Sequence, residues 1–265
     1  MSRLNEYIAN KRNLFIPFIT AGDPTPEATV DLAVALQEAG ADLLELGIPY
    51  SDPLADGPVI QEASKRALAQ GMTLKKALEL VPEMRAKGLT IPVVVFTYVN
   101  PLLQFGEGNF VEKASEYEVD GILVPDLPFE ESALLQKRCE QHGLALISLV
   151  APTSKSRIEK IASQAQGFLY CVSSLGVTGV RDELDPRVYE FLQTVKTYSH
   201  VPVAVGFGIS KREQVEALAD HADGIVVGSA IVRLIGELEQ ELRDEKTRKE
   251  GLEKIKRFVL SLISS

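Results

Sequence analysis

Residues 14–47 read LFIPFITAGDPTPEATVDLAVALQEAGADLLELG, and their order carries the first clue to the architecture. Leu14–Thr20 is an apolar run without strict alternation, which suits a strand buried on both faces of a parallel sheet. Asp23-Pro24-Thr25-Pro26 then opens a helix and Gly40 ends it, because proline fits the first helical turn and glycine the position past the last. Glu27–Ala39 is the helical segment between them, and a second apolar run, Asp42–Gly47, follows. Outward from this stretch the pattern repeats. Further apolar runs lie at Val93–Tyr98, Gly121–Val124, Leu144–Val150, Phe168–Val172, Val203–Gly206 and Gly224–Gly228, each followed by a helix-like segment such as Glu131–His142, Lys155–Ala165 or Lys211–Ala219. A weak internal echo accompanies them: Ala41-Asp42-Leu43-Leu44, Val119-Asp120-Gly121-Ile122 and Ala222-Asp223-Gly224-Ile225 lead into their runs in the same way.

Eight β-then-α units in 265 residues predict an α/β fold, a closed (β/α)8 TIM barrel. No Gly/Ser/Pro-rich linker or charge block divides the chain, so residues 1–265 are expected to form one domain. An extra N-terminal helix (Leu4–Lys11) precedes the first strand, and Glu239–Ile263 reads as additional outer helix. An open doubly wound sheet fits less well, since it usually has five or six strands.

Apolar residues make up 45% and charged residues 25% of the chain, and 28 basic against 37 acidic residues give a net charge of −9. That balance disfavours nucleic acid and anionic membrane surfaces as partners. A phosphate would have to be held by local donors. No run approaches the 18 or more apolar residues of a membrane span, and Met1–Glu6 has neither the basic nor the apolar region of a signal peptide. Cys139 and Cys171 form no CxxC pair and read as buried free thiols. A cytoplasmic setting, or the equivalent soluble compartment of an organelle, is expected.

In such barrels the chemistry sits at the C-terminal ends of the strands. His142, His200 and His221 each precede a strand, so they belong to the opposite face. No predicted strand carries a lysine for a Schiff base, and no cluster has metal-ligand spacing. Carboxylates, hydroxyls and backbone amides remain. Glu45 lies in the apolar strand Leu43-Leu44-Glu45-Leu46-Gly47; burial there raises a carboxyl pKa, which suits either a general acid/base or a hydrogen-bonded structural Glu. The following loop, Ile48 to Pro58, holds three prolines and two acids, Asp52 and Asp56. Either acid could cap the next helix or reach back beside Glu45. Glycine-rich turns close strands six, seven and eight: Gly176-Val177-Thr178-Gly179, Gly206-Phe207-Gly208-Ile209-Ser210 and Gly228-Ser229-Ala230. Three such turns at adjacent strand ends favour a phosphate cradle over simple tight turns.

Residues 44–58, LELGIPYSDPLADGP, resemble the signature of the tryptophan synthase alpha chain family, as do Pro17 to Pro24 and the three glycine-rich turns, the last extended to Ile231-Val232. The similarity runs from about residue 4 to the C-terminus. It implies cleavage of indole-3-glycerol phosphate to indole and glyceraldehyde 3-phosphate in tryptophan biosynthesis, a retro-aldol lyase reaction. By resemblance Glu45 is the general acid/base that protonates indole C3. Asp56 accepts a hydrogen bond from the indole N–H and stabilises the charge developing on the ring. Tyr170 lies close to Glu45, and Thr178 closes against Asp56. Gly179, Gly208, Gly228 and Ser229 hold the phosphate, and Phe18, Phe96, Leu123, Leu149 and Phe207 line the indole pocket, although each could equally be plain core. Leu175 departs from the small polar residue expected before Gly176. No cofactor or metal is implied in this chain; pyridoxal phosphate belongs to the beta chain expected as partner in an α2β2 tetramer, docked on Pro49–Pro58 and the third and sixth βα loops.

Two other readings compete. One is a stand-alone indole-3-glycerol phosphate lyase that releases free indole. The other is a catalytically dead barrel kept as a binding subunit, against which stand both acids and all three glycine-rich turns. Sugar-phosphate isomerases and epimerases commonly need a mouth-side lysine or metal-binding histidines, which the predicted strands lack.

Overall fold

A computed structural model of the chain describes residues 2–9, 11–172, 186–206 and 208–264. Eight parallel strands close into a barrel in chain order: β1 (Leu14–Thr20), β2 (Leu44–Gly47), β3 (Val93–Phe96), β4 (Gly121–Leu123), β5 (Ala145–Val150), β6 (Leu169–Val172), β7 (Val203–Gly206) and β8 (Gly224–Val227), with β8 pairing back on β1. The closed barrel is the predicted one; the open sheet is excluded.

Helices surround it. They are α1 (Arg3–Ile8), α2 (Pro26–Glu38), α3 (Pro58–Ala69), α4 (Leu74–Ala86), α5 (Val99–Phe105), α6 (Glu107–Glu116), α7 (Ala133–Gln141), α8 (Lys155–Ala162), α9 (Pro186–Tyr198), α10 (Arg212–Leu218), α11 (Ser229–Glu237), α12 (Glu239–Arg243) and α13 (Arg248–Ile263). The start of α2 is as read from the sequence: Pro26 opens it and the Thr25 hydroxyl caps it by accepting the Ala28 N–H at 3.1 Å. The C-terminal segment forms two of the additional outer helices, α12 and α13. Asp244 takes the Lys246 N–H on its carboxylate at 2.9 Å, a local turn that competes with helix, and Gly251 lets α13 approach Leu242 closely.

All seven residues of β1 are buried, because one side of each strand faces the barrel interior and the other the helices. Leu14, Ile16, Leu43, Val94, Leu123, Ile147, Phe168 and Val226 form the inner cluster, and Phe15, Ile19, Leu44, Leu46, Val93 and Val95 belong to the outer one. α1 stoppers the N-terminal end of the interior: Leu4 and Ile8 join the inner cluster. A Cβ at Gly167 would come within 2.8 Å of Leu4, so glycine there makes room for the stopper. Asn5 Oδ1 accepts the Gly167 N–H at 2.9 Å.

The echo in the sequence has a structural meaning. Asp42 accepts the Phe15 N–H at 3.0 Å while its own N–H donates to the Phe15 carbonyl at 2.9 Å. Asp120 does the same with Val93 (2.8 and 2.9 Å) and Asp223 with Val203 (2.9 and 2.8 Å). Each carboxylate also meets a cation: Lys11 at 2.7 Å, Arg85 at 2.8 Å and Lys196 at 2.9 Å respectively. These clamps pin β2 to β1, β4 to β3 and β8 to β7. They are also why β2 starts at Leu44 and not Asp42: the aspartate is turned sideways to its neighbour, ahead of the ladder. The third strand likewise ends at Phe96, two residues before Tyr98, which stands at the N-cap of α5.

Candidate active site

Glu45 projects from β2 on the same side as Leu43 and Gly47, in register with Phe18 of β1, and is 2% exposed. Its Oε1 has no hydrogen-bond partner among the described residues. Burial pushes its carboxyl from 4.5 up to about 8, and the negative charge of Asp56 adds to the rise. Such a group holds its proton at neutral pH and can both give and take one.

The loop between β2 and α3 separates its two acids. Asp52 is exposed and takes the Ser51 hydroxyl at 2.5 Å. Asp56 is half-buried, its carboxyl pushed from 3.8 up to about 6 by burial against the lowering effect of a hydrogen bond from Tyr98. Neither acid caps α3: the N-cap is Gly57, with no side-chain cap bond, and Pro58 begins the helix. Gln61 Nε2 holds the Asp56 carbonyl at 2.8 Å. Asp56 is therefore the acid whose charge reaches Glu45.

Tyr170 on β6 is buried enough, and near enough to Glu45 and Asp56, that its phenol is held well above its ordinary 10. It stays protonated. A Cβ at Gly206 would lie 2.5 Å from its hydroxyl, so glycine on β7 makes the space. Gly47 does the same for the Phe18 ring, which a Cβ there would strike. Phe18 meets Phe96 edge to face at 5.7 Å. Leu123 is buried and Leu149, half-buried, is in register with Tyr170. Phe18, Phe96, Leu123 and Leu149, four of the five predicted apolar residues, share the inward side of the barrel with Glu45 and Tyr170. Leu149 also lines a side cavity of about 270 Å³ between the ends of β4 and β5.

Gly208 follows β7 with φ +67°, and nothing lies where its Cβ would be. Gly228 is the N-cap of α11 and Ser229 its first residue, again without a side-chain cap bond. Free N–H groups at a helix start attract anions, and Gly208 and the Gly228–Ser229 turn follow neighbouring strands, β7 and β8. Thr178, Gly179, Phe207 and Leu175 lie outside the described residues. No group of three or more His, Cys, Asp or Glu among the described residues could hold a metal ion. His142 caps the end of α7 and His221 stacks on Tyr189 at 4.4 Å, both on the far face.

A model of the tryptophan synthase alpha chain family matches residues 4–259. The chain belongs to the tryptophan synthase alpha chain family. The alpha chain of Halalkalibacterium halodurans is 74% identical over 265 residues, covering 100% of both chains; that of Shouchella clausii is 66% identical, covering 96% of this chain and 94% of the relative. Among solved structures, the alpha subunit from Legionella pneumophila superposes with a TM-score of 0.87 at 37% identity, over 99% of this chain and 97% of that one. The tryptophan synthase a2b2 complex of Pyrococcus furiosus gives 0.87 at 40% identity, over 96% and 99%.

Two site residues of this family member escaped the sequence reading. Tyr98 touches the loop that carries Asp56, and Ile60 of α3 packs on Phe18. An aromatic at a strand end and an isoleucine on an amphipathic helix both look like core, so nothing in the pattern of types marked them.

Proposed function

We propose that Glu45 and Asp56 carry the alpha reaction of tryptophan synthase, the cleavage of indole-3-glycerol phosphate to indole and glyceraldehyde 3-phosphate. The supporting observation is the unpartnered Glu45 carboxyl, buried inside the barrel mouth beside a second acid with a lower pKa. Protonated Glu45 delivers its proton to indole C3. The ring becomes an iminium-type electron sink, and ionised Asp56 accepts its N–H and balances the positive charge. Glu45, now a carboxylate, takes the proton of the side-chain hydroxyl next to C3. The C–O bond becomes a carbonyl, the C3–C bond breaks, and its electron pair returns to the ring as neutral indole. Tyr170 and the apolar side chains exclude water, and Gly208, Gly228 and Ser229, with Thr178, Gly179 and Phe207, complete the phosphate and ring sites. No cofactor is required in this chain.

The two carboxyl values predict a bell. Rate rises as Asp56 ionises near pH 6 and falls as Glu45 loses its proton near pH 8, with both limbs belonging to the coupled pair. A kcat/KM profile for purified chain, followed by indole release, checks this; a rate independent of pH between those limits and beyond would overturn it.

The reading extends to a beta chain that uses pyridoxal phosphate and receives indole, in an α2β2 tetramer. Leu54 (86% exposed) and Leu103 (60%) stand on the second and third βα connections, where such a partner would cover them. Turnover with and without a beta chain separates a subunit from a stand-alone lyase. A cytoplasmic or equivalent reducing compartment fits the two buried free thiols, Cys139 and Cys171, and among the described residues no helix is long and apolar enough to cross a membrane.

A further inference from the structure

We propose that Gly47 is a positioning residue for this reaction: because it carries no side chain, the Phe18 ring can lie over β2 on the mouth side of Glu45 and close that carboxyl off from water. The proposal rests on the function proposed above. Glycine inside a strand has no side chain to pack, and it often marks a place that another group must approach closely. Gly47 is such a place. Its backbone is not in the left-handed region, so conformation does not call for glycine. Space does. A Cβ on Gly47 would stand 2.4 Å from Phe18 Cζ and 2.7 Å from its Cε2, so the ring would have to leave.

The register shows what the ring covers. The Phe18 backbone is level with Glu45 on β2, and Phe96 on β3 is level with Gly47. The tip of the Phe18 ring, however, reaches Gly47, two residues nearer the mouth. The ring therefore runs diagonally across β2, between the stem of Glu45 and the opening. Phe96 meets it edge to face at 5.7 Å, and Ile60 and Ala63 of α3 pack in the same cluster with Val232 of α11. Below this roof Glu45 Oε1 is buried and has no hydrogen-bond partner among the described residues. With no bond to hold the carboxyl in this state, its dryness rests on the packing above it, and burial is the largest cause of its rise to about 8. The titratable groups that face it among the described residues are Asp56 and Tyr170. β1 and β3 turn Phe18, Val94 and Phe96 to that side, and the side chains that α3 and α11 bring to the ring carry no charge.

Gly47→Ala puts a methyl where the ring tip lies, and Phe18→Leu removes the tip and leaves the space above Gly47 open. Either change admits water to Glu45 and favours its ionised form. The basic limb of the kcat/KM profile is expected to move about one unit to lower pH in each, so that the rate falls roughly tenfold above pH 8 and less than about twofold near pH 6. In the double variant, Gly47→Ala with Phe18→Leu, the methyl fills the space the ring tip vacated, and the limb is expected to return part-way to wild type. A glycine needed only for packing, or a displaced ring that merely blocks the pocket, would lower the melting temperature or the whole profile and leave the limb in place. The experiment follows indole release from indole-3-glycerol phosphate across both limbs for wild type, the two single variants and the double variant. Limbs that coincide with wild type in both single variants, or a double-variant shift equal to the sum of the single shifts, overturn the proposal. Should Gly47→Ala not fold, the limb of Phe18→Leu decides alone. If wild type does not cleave this substrate, the function proposed above fails instead. Gly47 is then judged by the 13C titration of the Glu45 carboxyl in the same proteins, where an unchanged midpoint overturns the proposal.

Discussion

Glu45 works because the fold denies it water, and that denial is itself destabilising. Its carboxyl releases a proton near 4.5 when exposed and near 8 when folded. Between those values the native chain binds a proton that the unfolded chain has lost, so stability falls as pH rises through this window. Glu45→Gln escapes the penalty. It should melt together with wild type below about pH 4.5 and several degrees above it beyond pH 8, a difference on the order of a few kcal/mol. The same variant should lose roughly a thousandfold or more of the cleavage rate. Scanning calorimetry at the two pH values, beside an indole assay, tests both. A variant less stable than wild type at high pH would mean that the carboxyl has a structural partner. An acid inside an apolar strand is legible in the sequence, which is why Glu45 stood out. Residue types alone did not choose between Asp52 and Asp56, since both lie in one proline-stiffened loop; the resemblance named Asp56, and in the fold Asp56 is half-buried with its carbonyl held by Gln61 while Asp52 is exposed.

At the scale of elements, short apolar runs located all eight strands, because a strand buried on both faces needs such a run whatever its neighbours. β1 and β7 were read to the residue, and the other six a residue or two too long. The reason is visible at Asp42 and Tyr98, whose side chains leave the ladder to bind elsewhere, and no periodicity reports that. The aspartate clamps also explain why one short motif recurs before β2, β4 and β8, while β6 relies on Asn5 from α1. Asp120 is the most enclosed of them, 3% exposed, bonded to Val93 and Arg85 and within 3.4 Å of Arg3. Burial outweighs attraction at both ends of its main pair, raising the Asp120 carboxyl and lowering the Arg85 guanidinium from their ordinary values. Breaking such a pair is costlier than removing it whole. Asp120→Ala should therefore cost about 3–5 kcal/mol, and Asp120→Ala with Arg85→Met less than the sum of the two single changes. Urea titrations of the four proteins measure the coupling; strict additivity would show that the two side chains act independently.

The two ends of the whole barrel are built for different work. At the N-terminal end lie the clamps and the α1 stopper, which serve closure of the sheet, and the loop histidines. At the other end lie Glu45 on β2 and Asp56 on the loop that follows it, and there the surface turns apolar: Leu54, Leu103 and Leu134 are the most exposed large apolar side chains among the described residues, on βα connections or in the first turn after one. Isolated exposed leucines need no explanation, but three on the working face of an acidic molecule are what a partner would cover. Burying a leucine side chain is worth roughly 1.5–3 kcal/mol, and a carboxylate in its place must also be desolvated. Leu103→Glu should therefore weaken the complex with a beta chain by about ten- to a hundredfold. Because Leu103 lies on α5 and away from the acids, the partner-stimulated rate should return when the beta chain is raised in proportion. Titrating beta chain into wild type and variant while following indole production tests this. Equal half-saturation points would place the partner on another face, and the exposed leucines of the mouth would then be ordinary surface.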